Sequence, residues 1–356
     1  MLESNSTIAY VCAYSENNDG GIFSYRVDTE NGEFAELEQN PVEGASFLAI
    51  HPDRTHIYVI TRVGGGFVRA YRRKDTTGKL TELNRQPSGG NSPCYISVNK
   101  TGSYVFVANG SDGTISTFPI RDDGSIGEAT QMIEHEGSSV DPNRQQHAHP
   151  HSIDTCPNDR FVYVPDLGAD LIAIYRMGQM KNKLRLEATQ EVGLHDGAGP
   201  RHFDFDPDGR YLYLINELDS TIVAYGYDTE TGSLSEISKV STLPEDFNGN
   251  NLCADIHIHP SGQWIYGSNR GHNSIAVFAV DEDTGALDPL GHESTHGDWP
   301  RNFGIDPRGR YLYVLNRRSN SIATFSINRE SGELTFEQKL DSLPEPVCIR
   351  FLPNRS

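Results

Sequence analysis

Three histidines stand at alternate positions near the middle of the chain, His147, His149 and His151, in the run Gln145-Gln146-His147-Ala148-His149-Pro150-His151-Ser152. In an extended segment that spacing aims the three imidazoles one way, as a metal site needs, or places one or two of them for proton transfer or anion contact. With no carboxylate ligand beside them and Pro150 constraining the geometry, the second reading is preferred and no metal is expected. Arginines form a second group: Arg62, Arg201, Arg270, Arg301 and Arg317. A guanidinium offers paired donors that match a carboxylate or phosphate. Glu217, in Asn216-Glu217-Leu218, is the main carboxylate candidate, because near Arg201 it would stay ionised and could act as a base or orient a histidine. Asp166 is held in reserve. No GxSxG elbow, no glycine-rich loop opening a helix and no CxxC pair occurs, which disfavours serine-nucleophile, nucleotide and redox chemistry.

These residues are placed by an internal repeat. HPDRTHIYVIT from His51 returns as NKTGSYVFVAN from Asn99, CPNDRFVYVPD from Cys156, DPDGRYLYLIN from Asp206, HPSGQWIYGSN from His259 and DPRGRYLYVLN from Asp306, with a truncated copy, LPNRS, from Leu352. The copies recur about every 50 residues, the spacing of propeller blades. Each unit reads as a short alternating strand, a tight Pro-x-Gly turn, a second strand such as YLYLIN, a third such as STIVAYGYD and, after turn-rich DTETGSL, a fourth. The expected fold is all-β: a seven-bladed propeller of four-stranded antiparallel blades forming one domain over 1–356. Its seventh blade is shared by about 7–40 and 346–353, so that the N-terminal strands complete the C-terminal blade and close the ring. A solenoid, or two packed β-domains, would not need termini that complement each other.

Meander geometry then sorts side chains by face. If the first strand runs from top to bottom, the residues entering it and those leaving the second strand share the top, near the central channel. The entering positions are Ser46, Cys94, His151, Arg201, Ala254, Arg301 and Val347, followed by Phe47, Tyr95, Ser152, His202, Asp255, Asn302 and Cys348. The leaving positions include Arg62, Gly110, Leu167, Glu217, Arg270 and Arg317. The insertion 134–152, with its histidines, opens on the same face. His51, His56, His257 and His259 fall away from this rim and read as structural, and Arg317, beside Arg318, as solvated surface.

Charge sharpens the contrast. The chain carries 49 acidic against 30 basic residues, a net charge of −19, so no basic surplus is available for nucleic acid. The apolar fraction is 36%, no stretch of 18 apolar residues exists, and the N-terminus has no basic segment followed by an apolar one. A cytoplasmic protein without membrane partners is expected. Its five scattered cysteines should be reduced and mostly buried. An arginine- and histidine-lined mouth in an acidic body points to a small anionic ligand.

HAHPHSI, GPRHFDFDPDGRYLYLINELDSTIVAY and WPRNFGIDPRGRYLYVLNRRSNSIATF together resemble the seven-bladed propeller lactonases, a family that includes propeller-type 6-phosphogluconolactonases and carboxy-cis,cis-muconate cyclases. The resemblance implies hydrolysis of an anionic sugar lactone without a cofactor. It carries the roles of catalytic residues to His149 or His151, Arg201 and Glu217, and an anion-binding role to Arg270; the extra Gln-Gln-His-Ala-His leaves open which histidine serves. In that scheme Arg270 and Arg301, with His202 and Arg62 nearby, hold the substrate. Arg201 stabilises the oxyanion, and a histidine oriented by Glu217 activates water. Two alternatives stand beside it: a cyclase that closes a carboxylated muconate to a lactone, and a non-catalytic scaffold binding a protein on its top face. The scaffold predicts arginines that do not converge with Glu217.

Overall fold

The computed structural model describes residues 5–15, 19–75, 77–180 and 183–352. Among them, 28 strands form seven four-stranded antiparallel sheets, and the only helix is a single 3-10 turn, Val63–Gly65. The innermost strands of blades one to seven are Ala45–Ile50, Pro93–Val98, Asp154–Thr155, Pro200–Phe205, Leu252–Ile258, Pro300–Ile305 and Pro346–Phe351. Blade seven pairs Pro346–Phe351 with Ser6–Ala13, followed outward by Gly21–Asp28 and Phe34–Asn40, so the two ends of the chain close the ring as expected. Pro353, where the truncated repeat places its turn, lies outside the described residues.

Local chemistry explains why the repeat folds this way. In blade four the Asp206 carboxylate accepts the backbone N–H groups of Arg210 at 2.5 Å and Tyr211 at 2.7 Å, and Gly209 takes a left-handed φ of 66°, a conformation open to a residue without Cβ. Where histidine replaces that aspartate, its ring bridges to the next blade: His51 Nε2 lies 2.8 Å from the Gly102 carbonyl and His259 Nε2 2.8 Å from that of Gly309. The tyrosine in the middle of the second strand makes a further tie. Tyr58, Tyr163, Tyr213, Tyr266, Tyr313 and Tyr10 each donate to a glycine carbonyl of the following blade: Gly124, Gly232, Gly285, Gly332, Gly32 and Gly78. Blade two has Phe106 at this position, and its contact with blade three uses Gln131, which donates to Leu186 O at 3.0 Å and accepts from Leu186 N at 2.8 Å.

Apolar side chains of facing sheets pack between the blades, with Tyr313, Leu315 and Ile322 of blade six against Ala9, Val11 and Ile349 of blade seven. All five cysteines are free and buried. One blade departs from the repeat: the inner strand of blade three shrinks to Asp154–Thr155, because the histidine run occupies its upper half and touches the sheet only through a bridge between Pro150 and Asp166. Pro150 itself is not the cause, since Pro93, Pro200 and Pro300 pair with the equivalent Asn109, Asn216 and Asn316 in six-residue strands.

Candidate active site

At the top of the channel lies a cavity of about 160 Å³ walled by Arg62, Cys94, Arg144, His149, His151, Glu217, Arg270 and Arg301, with Ser92, Gly110 and Ser111 at its edge. Glu217, 1% exposed, is the hub. Its Oε2 accepts from Arg201 Nε at 2.8 Å and Arg270 Nη2 at 2.7 Å, while Arg144 Nη2 meets Oε1. Arg270 is fixed from behind, donating to the carbonyls of Leu252 at 3.1 Å and Cys253 at 2.5 Å. Arg62 donates through Nε to Pro93 O at 3.1 Å. Arg301 differs from the others, since it has no hydrogen-bond or ion-pair partner among the described residues.

The histidine run is held by Asp166. This fully buried carboxylate accepts from the backbone N–H groups of His149 at 2.6 Å, Gly168 at 3.0 Å and Ala169 at 3.1 Å, and pairs with His135 Nδ1 at 2.9 Å. His149 and His151 stack with their ring planes within 3° of parallel and centroids 5.5 Å apart. A Cβ on Gly110 would lie 2.4 Å from His149 Nε2, so glycine is needed there for the imidazole to occupy its place.

Electrostatics set the protonation states. Burial, followed by the nearby Arg144, outweighs the pull of Glu217 and lowers the His149 pKa to about 4. Burial, then Arg201 and His202, pushes His151 well below its ordinary value. Both imidazoles are therefore neutral at pH 7 and able to accept a proton. Burial by itself would raise the Glu217 carboxyl, but Arg270, Arg201 and Arg144 override it and hold the group well below the carboxylate range. Burial and the neighbouring Arg201, Arg62, Arg270 and Arg317 all disfavour the charge on Arg301. The site holds more positive charge than its own carboxylate balances, and an incoming anion would supply the difference.

Six of the expected site residues thus line one cavity: His149, His151, Glu217, Arg270, Arg301 and Arg62. Arg201 does not reach the wall. It sits behind Glu217, 2% exposed, donating also to Ala254 O, with its pKa brought down to about 10 by burial and by Arg270. His202 is likewise withdrawn: its Nδ1 donates to Asp255 at 2.7 Å and its Nε2 accepts from Arg201 at 3.2 Å, so it braces Arg201 and does not face a ligand. Among the described residues Glu217 gathers guanidiniums and makes no hydrogen bond to a histidine, contrary to the orienting role expected of it. Asp166 is structural. His147 is exposed and bonds the carbonyl of Ala148, so the three imidazoles do not converge. Arg317 is paired with Glu345 at 2.6 Å, not simply solvated. Arg144 was missed; its signal was a lone arginine inside an insertion already marked by its histidines. The 2.8 Å contact of Arg201 with Glu217 is the convergence that a passive scaffold would lack.

Residues 8–351 match the family described as "Lactonase, 7-bladed beta-propeller". A 6-phosphogluconolactonase of Bacillus subtilis is 35% identical over 97% of this chain and 98% of its own length. Among solved structures, a putative 6-phosphogluconolactonase from Bacteroides fragilis superposes with a TM-score of 0.91 at 33% identity, covering 99% of both chains. A periplasmic gluconolactonase from Pseudomonas aeruginosa superposes with 0.92 at 29% identity, covering 98% of this chain and 99% of the other. No helix among the described residues is long and apolar enough to cross a membrane. With the propeller, the converging Glu217 cluster and these likenesses together, the chain belongs to the seven-bladed β-propeller lactonase family.

Proposed function

We propose that the cavity hydrolyses an anionic sugar lactone, with the δ-lactone of 6-phosphogluconate as the first candidate. The observation that carries the reading is Arg301, a guanidinium without a partner among the described residues, facing a cavity that also presents Arg62, Arg144 and Arg270. The names of the relatives favour the phosphorylated lactone. In this scheme the lactone carbonyl points at Arg301, which binds the oxygen more tightly as it gains charge. His149, neutral and with no hydrogen bond to its ring nitrogens among the described residues, takes a proton from the attacking water. The tetrahedral intermediate collapses by breaking the bond from the carbonyl carbon to the ring oxygen, and the same imidazolium returns its proton to that oxygen. Glu217 keeps Arg144, Arg201 and Arg270 in register. A bound anion offsets Arg144, one cause of the low His149 pKa, and so makes the base stronger in the complex than in the free protein.

Hydrolysis of 6-phosphogluconolactone above its spontaneous rate tests the assignment. Arg301→Met should lower kcat/KM by about a hundredfold or more. An unchanged rate in that variant, or cyclisation of carboxymuconate without lactone hydrolysis, would overturn it.

A further inference from the structure

Beside the candidate catalytic cavity lies a second basin of about 610 Å³, which shares Arg144, Arg270 and Arg301 with it and adds Trp299, Arg317 and Arg318. Two of its residues, Trp299 and Glu345, sit on left-handed backbone at one recurrent position of the fold. Among the described residues, five blades put a left-handed residue immediately before the innermost strand: Gly44 (φ 67°), Ser92 (54°), Gly199 (64°), Trp299 (66°) and Glu345 (35°). Blades one and four use glycine, which takes this conformation without cost, whereas a residue with a Cβ gives up roughly 1–2 kcal/mol. The chain nevertheless places Ser92 at the catalytic cavity and Trp299 and Glu345 at the basin. Other residues with a Cβ take this conformation, mostly the turn formers Asp, Asn and Ser, but a bulky indole there is an outlier, and Trp299 keeps it at a position that lines the basin.

The basin's charges fit one ligand chemistry. The Trp299 indole lies between two guanidiniums, with Arg318 centred 3.5 Å from the ring and Arg270 5.4 Å from it. Stacking holds the Arg318 fork in place while its side chain has no hydrogen bond or ion pair among the described residues. Arg317 is compensated by Glu345, at 2.8 and 2.6 Å, which leaves Arg318 and Arg301 as the uncompensated donors. The outer basin, about 610 Å³ against about 160 Å³ for the inner cavity, is the roomier of the two.

We infer that the outer basin is the subsite for the phosphate of a phosphorylated sugar lactone, with Arg318, held against Trp299, as its donor, while Arg301, on the wall common to both cavities, faces the lactone carbonyl. The ring then occupies the inner cavity and the phosphate the outer one. The lactonase reading enters only in the choice of ligand, so binding tests the subsite separately from turnover. Calorimetric titration with 6-phosphogluconate and with gluconate should show the phosphorylated acid binding at least tenfold more tightly. Arg318→Ala should shrink that ratio at least fivefold. Trp299→Gly should do the same, and because glycine suits a φ of 66° the variant is expected to fold. Equal binding of the two acids, or a ratio that survives both variants, overturns the subsite. If the ratio behaves as expected but neither lactone is hydrolysed, the subsite stands and the hydrolytic assignment falls.

Discussion

A histidine serving as a base is usually pictured with a carboxylate at its back, which raises its pKa toward neutrality or above. Glu217 is close enough to exert that pull on His149, but its oxygens are committed to Arg144, Arg201 and Arg270, and burial prevails, leaving His149 near pH 4. The sign follows directly: the free protein must have His149 neutral to accept a proton, so kcat/KM should stay level from pH 8 down to about 5 and fall only as pH approaches 4. An acid limb near 6.5 to 7 with an unphosphorylated lactone, which has no phosphate to titrate there, in a profile corrected for spontaneous hydrolysis, would show an imidazole coupled to a carboxylate and would refute the geometry. Residue types and the column they occupy were legible in the chain, which is how His149, His151, Glu217 and four of the arginines were selected. Whether a side chain at such a position faces the cavity or a neighbour was not legible. Arg201 and His202 enter the same strand as expected, yet both are drawn inward by Glu217 and Asp255, partners contributed by other strands.

At the scale of elements, the six clear copies of the turn phrase announced the blades because each strand pair depends on its own local turn, and local turn chemistry is written in adjacent residues. The histidine insertion has no repeat to inherit from, so neither the seat of Arg144 nor the shortening of the third inner strand could be read in advance. That insertion is set by contacts from other segments, above all Asp166 beneath it and Gly110 beside it. Gly110→Ala isolates this dependence. A Cβ only 2.4 Å from His149 Nε2 must displace the imidazole from its stack on His151, while the backbone of Gly110 needs no left-handed angle. We expect kcat to fall at least tenfold with little change in Tm; wild-type turnover in the variant would mean that His149 is not the working base.

Across the whole molecule, a chain of polar contacts between innermost strands joins four blades as an axle. Asp255 of blade five accepts from His202 of blade four at 2.7 Å and from Asn302 of blade six, and Asn302 in turn accepts from the Ile349 N–H of blade seven at 2.7 Å. His257, also in blade five, lies 3.2 Å from Asp255 and 3.5 Å from Asp204. Burial would lower the His257 pKa, but Asp255 and then Asp204 overcome it and raise the value to about 9. A pKa raised above the unfolded value of roughly 6.5 contributes stability that is complete below that pH and is lost as pH climbs through the folded value. The shift corresponds to something on the order of 3 kcal/mol. Because the axle ties the seam blade to the middle of the ring, this loss should register in the global melting transition and not as fraying of one sheet. His257→Gln should therefore melt well below wild type at pH 6, with the gap closing between pH 7 and 10 as wild type itself deprotonates. A gap that stays constant across that range would show that His257 acts through shape alone, and that the −19 body is not held at its centre by a half-buried imidazolium.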